Sequence, residues 1–189
     1  MVLFLKFRPE PFSIRSRWNI DAPVTEVRAV FENPLSILDW WSSVFLAGEA
    51  IEPVGATSGA FQAKFYTKGF LPHTFQFLAT ISSLEEDRLV ISTSGDFDGV
   101  GTIVILEKGE QTLVTVEWQV IVKQPYILPF LFILKPVFVW NHIWAMRQGR
   151  LGFEAALARN KLNGSIVKYP APTFPHNFSF LRNPRRWRV

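Results

Sequence analysis

The sequence predicts an α+β fold in which a run of antiparallel strands packs against one long C-terminal helix. Three observations point to it. Ile14, Ser16, Trp18 and Ile20 alternate with Arg15, Arg17, Asn19 and Asp21, the period-two pattern of a half-buried strand. From Val44 to Lys123, alternating segments are punctuated by Gly55, Gly59, Gly69, Gly95, Gly99 and Gly109, as in successive hairpins. After Pro136, a suitable first-turn residue, a helical pattern runs to Leu162 and stops at Asn163-Gly164.

Between the first strand and the hairpins the chain carries two short helical signals. Asp21 and Pro23 mark a start, and Val24, Val27, Val30 and Phe31 recur near helical spacing until Asn33-Pro34 ends the run. Leu35, Leu38 and Trp41 are three apart in LSILDWWSS, which predicts a second helix over Leu35 to Ser43. Among the strands the alternation is clearest in Thr112 to Lys123, where Val114, Val116, Trp118, Val120 and Val122 share one face and Thr115, Glu117 and Gln119 the other. In HTFQFLATI, Phe75, Phe77, Ala79 and Ile81 lie opposite Thr74, Gln76 and Thr80. Strands with one apolar and one polar face belong in an antiparallel sheet. On the long helix, Trp140, Ile143, Trp144, Leu151, Ala155, Ala158 and Leu162 form an approximate apolar stripe, expected to lie on that sheet.

With 189 residues and 48% hydrophobic composition, the chain fits one domain with a sizeable core. Residues 1–12 read as an N-terminal extension, 13–163 as the domain, and 164–189 as a Pro-containing basic tail. The formal charge of +4 equals the four arginines of the last eight residues, Arg182, Arg185, Arg186 and Arg188. The body is therefore neutral, which argues against a nucleic-acid-binding face. The N-terminus has its basic residues after its apolar stretch, the reverse of a secretory leader, so a cytoplasmic location is expected. Gln124 to Met146 is apolar enough to invite comparison with a membrane span. Pro125, Pro129 and Pro136 interrupt it, and a buried connection leading into the helix is the better account.

Reactive constellations are scarce. Zero Cys removes thiolate zinc sites and cysteine nucleophiles, and His73, His142 and His176 show no metal-ligand spacing. Asp96 and Asp98 in SGDFDGVG lack the further oxygen ligands of a calcium loop and read as a turn. Gly95, Gly99 and Gly101 sit between strands instead of opening a helix, so no phosphate-binding fingerprint is present. No metal, cofactor or catalytic group is assigned.

The order of elements, together with DAPVTEV, LDWW, LPHTFQF, GDFDGVG, TVEW and NHIWAMRQG in that sequence, resembles the helix-grip fold of the START-like superfamily. It is similar in particular to the polyketide cyclase/dehydrase and lipid-transport group called SRPBCC. The resemblance covers roughly residues 13–160, with His73 and Ile103 as departures at positions where an aromatic and a Trp are commoner. It implies a curved antiparallel sheet wrapped around the long C-terminal helix, two short helices after strand one, and an apolar cavity between sheet and helix.

In such an arrangement Trp41, Phe65, Phe75, Phe77, Trp118 and Trp144 are expected to border the cavity. Asn141, His142 and Arg147 would place polar groups at its helix side, able to orient a ligand carbonyl or act in proton transfer. The competing account of His142 is local capping or packing. Three function classes follow: binding or carriage of a hydrophobic, lipid-like or polyketide-like molecule, cyclase or dehydratase chemistry in the same cavity, and a membrane-surface or protein-interaction role. Non-enzymatic binding is preferred, because cavity material is plentiful and a reactive constellation is not. For the C-terminal arginines and Trp187 two accounts stand side by side: weak contact with anionic membranes, which would give a peripheral association, and a tail that folds back onto the domain or only solvates it, the slightly preferred account.

Overall fold

The computed structural model describes residues 12–51, 61–122, 131–161 and 168–173. Its strands are β1 (Phe12–Ile20), β2 (Phe45–Ile51), β3 (Gln62–Lys68), β4 (Thr74–Leu84), β5 (Arg88–Gly95), β6 (Phe97–Lys108) and β7 (Gln111–Val122). They form one antiparallel sheet in the order β1-β7-β6-β5-β4-β3-β2, so every neighbour from β2 to β7 is a sequential neighbour and β1 adds to the far edge. Register follows the alternation. In β1, Trp18 and Ile20 are buried while Arg15, Arg17 and Asn19 face solvent, and Arg15 reaches Glu117 directly opposite on β7 at 2.8 Å. Gly109 takes φ +63° in the β6–β7 turn, a left-handed conformation that favours glycine. Bulges between Phe45 and Ala47 and between Ile81 and Ser83 help the sheet curve.

After β1 come α1 (Val24–Phe31), a 3₁₀ turn (Pro34–Ser36) and α2 (Ile37–Trp40). Val27 and Val30 turn the apolar side of α1 inward, and the Asn33 carboxamide oxygen accepts from the Leu35 N–H at 3.1 Å, starting the 3₁₀ turn that Pro34 favours. The second helical signal thus becomes a tight turn and a single α-helical turn, with Trp41 leaving the helical conformation.

The long helix, α3, spans Leu131–Lys161. It begins five residues before the expected start, so Pro136 lies inside it and not at its first turn, where it has no N–H to give the carbonyl four residues back. The apolar stripe predicted from the sequence is also not the one that packs. Trp140 is 46% exposed and Ile143 57%, whereas Met146, Phe153, Ala156 and Leu157 are buried. Apolar residues occur on both sides of α3, so periodicity alone selected the solvent face. Packing chose the side whose small residues admit a close neighbour. A Cβ on Gly152 would collide with the Trp40 carbonyl oxygen.

Two apolar cores result. One gathers Trp18, Ile20, Val27, Val30, Trp40, Val114 and the buried face of α3 around Phe153. The other, on β3 and β4, holds Ala63, Phe65, Phe77 and Ala79, with Phe45, Ile91 and Phe97 against it. Beyond α3, Lys168 to Thr173 returns over the domain, with Tyr169 packed against the first core. Ser42 donates to the Pro170 carbonyl at 3.4 Å, and the Thr173 hydroxyl donates to the Phe70 carbonyl at 2.8 Å while accepting from buried Lys68 at 3.0 Å. Residues 1–11 of the N-terminal extension, the segment 123–130, the expected helix stop at Asn163-Gly164 and the C-terminal arginines lie outside the described residues, while Phe12 already belongs to β1. Among the described residues no helix is long and apolar enough to cross a membrane.

The two faces of α3 should separate in urea unfolding. Phe153→Ala is expected to cost about 3–5 kcal/mol, because it empties a fully buried aromatic site. Leu151→Ala, on the exposed side, should stay within about 0.5–1 kcal/mol. Equal losses from the two would contradict this packing.

Candidate functional site

A cavity of about 240 Å³ lies between the two cores. Its floor is the concave face of the sheet: Phe65 and Thr67 from β3, Phe77, Ala79 and Ile81 from β4, Leu89 and Ile91 from β5, Phe97 and Ile103 from β6, Val116 and Trp118 from β7. Its cover is the α1–α2 segment, through Val30, Phe31, Trp40 and Trp41, and one stretch of α3 through His142, Ala145 and Met146. Strand alternation supplies the floor, since residues two apart point the same way. Helical spacing supplies the cover, since positions i, i+3 and i+4 share a side.

Aromatic rings run along the wall in a connected path. Trp41 meets Phe45 at 5.2 Å between centroids, Phe45 meets Phe65 at 5.3 Å, Phe65 meets Phe77 at 6.0 Å, and Phe77 meets Phe97 at 4.7 Å. Trp118 closes the path at 6.5 Å from Phe97. Trp41 is the fixed end: it stacks on Trp40 at 5.4 Å, and its indole N–H donates to the Ala145 carbonyl at 3.0 Å. The wall is therefore made of rigid groups held by one another, which keeps the cavity open with little side-chain entropy to lose on binding.

Polar groups are few. Ser36 is already engaged, donating to the Val30 carbonyl at 3.0 Å and accepting from the Trp40 indole at 3.2 Å. Asn33, whose carboxamide oxygen accepts from the Leu35 N–H, Thr67 and His142 are the other polar residues of the lining. His142 has no hydrogen-bond partner among the described residues, and burial pushes its pKa down to about 4. None of the described lining residues is Asp, Glu, Lys or Arg. Among the described residues, no three His, Asp or Glu side chains converge. What the site offers chemically is apolar volume, one neutral imidazole, the Thr67 hydroxyl and the Asn33 carboxamide.

Of the residues singled out from the sequence, Trp41, Phe65, Phe77, Trp118 and His142 line the cavity. Phe75 shares the inward face of β4 but sits beyond the wall, edge-on to His73 at 4.6 Å and to Phe97 at 5.9 Å. Asn141, Trp144 and Arg147 point away from His142 around α3. Asn141 accepts from the Leu71 N–H at 3.1 Å, Trp144 packs edge-on to Phe70 at 5.7 Å, and Arg147 is exposed. Sequence reasoning missed Trp18, Phe45, Thr67, Phe97 and Ile103. The alternation of β1 already marked Trp18 as inward, and the phase of Ala63 and Phe65 would have marked Thr67. Phe45, at a strand start, carries no such signal.

No family model matches the chain, and no curated protein matches it in sequence. Solved structures do. A protein of Thermus thermophilus superposes with TM-score 0.63 at 17% identity, covering 79% of this chain and 99% of its own. The Zhui aromatase/cyclase of Streptomyces sp. R1128 gives TM-score 0.63 at 11% identity, over 84% and 100% of the two chains. Norcoclaurine synthase of Thalictrum flavum, a point mutant with a transition-state analogue bound, gives 0.57 at 14%, over 82% and 99%. At these identities the likeness is one of fold: the chain has the helix-grip architecture, a curved seven-stranded antiparallel sheet with a long C-terminal helix and short helices after its first strand.

Proposed function

We propose that the protein binds and carries a hydrophobic small molecule in the cavity between its sheet and α3. The carrying observation is the cavity itself. Natural interiors pack to crystal-like density and leave few voids larger than a water molecule, so about 240 Å³ of uncharged, aromatic-walled space is best explained by an occupant. The hydrophobic effect supplies the affinity, and the rigid ring path supplies the shape.

A second reading, cyclase or dehydratase chemistry, is favoured by one observation: a titratable side chain, His142, stands in the wall. Holding a reactive chain folded contributes much of the barrier reduction in such reactions, and one imidazole suffices to move a proton. His142 lacks a described carboxylate or other partner to orient it, which is why carriage is preferred. Native mass spectrometry of freshly purified protein separates the two. A retained lipid-like or polyketide-like molecule supports carriage, and turnover of an added polyketide chain supports the enzyme.

Two outcomes are expected. Ala79→Phe places a ring into the cavity from β4 and should weaken binding of the neutral fluorophore N-phenyl-1-naphthylamine at least about tenfold by competing for its volume, at a stability cost of no more than about 1–3 kcal/mol. Unchanged fluorophore binding would remove the cavity from the account.

The second concerns pH. The folded pKa of His142, about 4, lies below the ordinary 6.5, so the unfolded chain takes up the proton first as pH falls. Stability is then fully present above about 6.5 and declines toward 4. Burial also lowers the pKa of His73, partly offset by Asp96, and adds a contribution of the same sign. His142→Phe should flatten the slope of unfolding free energy between pH 6.5 and 4, measured by urea titration, and leave the His73 share in place.

A further inference from the structure

The wall chemistry restricts the ligand further, on the premise that the cavity binds a small molecule. We propose that the ligand is a compact neutral molecule of apolar body bearing a hydroxyl or carbonyl group, that His142 is the anchor for this group, and that carboxylate lipids are excluded. Three observations carry this.

First, no described lining residue offers a positive charge. A carboxylate drawn inside would lose its hydration with no cation to compensate, which leaves it in water or forces it to take up a proton. The cations of α3 do not help: Lys135, Arg147, Arg150, Arg159 and Lys161 are exposed and do not line the cavity.

Second, His142 borders the apolar space without a protein partner among the described residues. His142 is half-buried, and an imidazole set in an apolar wall gains from a hydrogen-bond partner that a ligand can supply. Ser36, by contrast, is satisfied by Val30 and Trp40. Neutral imidazole carries one N–H donor and one lone-pair acceptor, so it accepts from a hydroxyl or donates to a carbonyl. Its low pKa keeps it in that form at physiological pH and denies a carboxylate the countercharge an imidazolium would give.

Third, the volume of about 240 Å³ falls just below the roughly 300–1,000 Å³ of drug-sized sites. It suits two or three fused rings and is too small for a two-chain lipid.

The test uses three probes that share one ring system: naphthalene, 2-naphthol and 2-naphthoate, measured at pH 7.5 by equilibrium dialysis against the full chain. The expected result is binding of the first two, with 2-naphthoate at least about a hundredfold weaker than 2-naphthol. His142→Leu should weaken 2-naphthol about fivefold, the worth of one neutral hydrogen bond, and leave naphthalene within about twofold. His142→Gln, which keeps a donor and an acceptor, should restore most of the loss, and thermal melts of each variant establish folding.

Comparable affinity for 2-naphthoate and 2-naphthol overturns the exclusion of carboxylates. Equal weakening of naphthol and naphthalene by His142→Leu overturns the anchor, while leaving the cavity as a binding site. Absence of binding by all three to folded protein overturns the cavity-binding function itself, and the ligand class with it.

Discussion

Much of this structure depends on the seam where α3 meets the end of α2. Gly152 lets the helix backbone approach the Trp40 carbonyl, closer than any side chain would permit. Phe153, fully buried, then fits among Trp18, Phe31 and Trp40 at centroid distances of 6.1, 5.1 and 5.3 Å. Two turns earlier, the Trp41 indole reaches the Ala145 carbonyl. Rings in close contact, edge-to-face with Trp40 and tilted with Trp18 and Phe31, add to the free energy of burial and also fix orientation, so the seam sets both where the helix lies and how it is rotated.

The cavity follows from that placement. The helix is drawn toward β1, α1 and α2, which it contacts, and the inner faces of β3 and β4 form their own apolar cluster on the other half of the sheet. Rings from Trp41 to Trp118 span the gap without filling it. Trp41 therefore has two roles at once: it ties α3 to the seam and forms part of the wall. The same rotation of α3 turns His142 inward and sends Asn141, Trp144 and Arg147 to other surroundings.

Rotation also leaves Ile133, Trp140, Ile143 and Leu151 toward solvent. A helix with apolar residues on both sides is ambiguous by pattern, and the small residues that resolve it weigh little in any hydrophobic scale. Gly152 contributes no apolar surface of its own. Its value appears only once a second backbone is brought against it.

The sequence by itself determined the strands, their inward faces and the order of elements, because alternation, Gly turns and Pro stops act over a few residues. Trp18 and Ile20 in β1, Phe77 and Ala79 in β4, and Val114 and Val116 in β7 are inward for reasons present in their own segments. Of the site, Phe65, Phe77, Trp118, Trp41 and His142 were nameable, Phe77 and Trp118 by phase and the others through family resemblance. Only the tertiary structure decided where α3 begins, which of its faces packs, and that Phe45, Phe97 and Ile103 join the wall while Phe75 does not. Those outcomes rest on contacts between segments far apart in the chain, Gly152 with Trp40 and Ala145 with Trp41, and no local period encodes the fit of one surface against another.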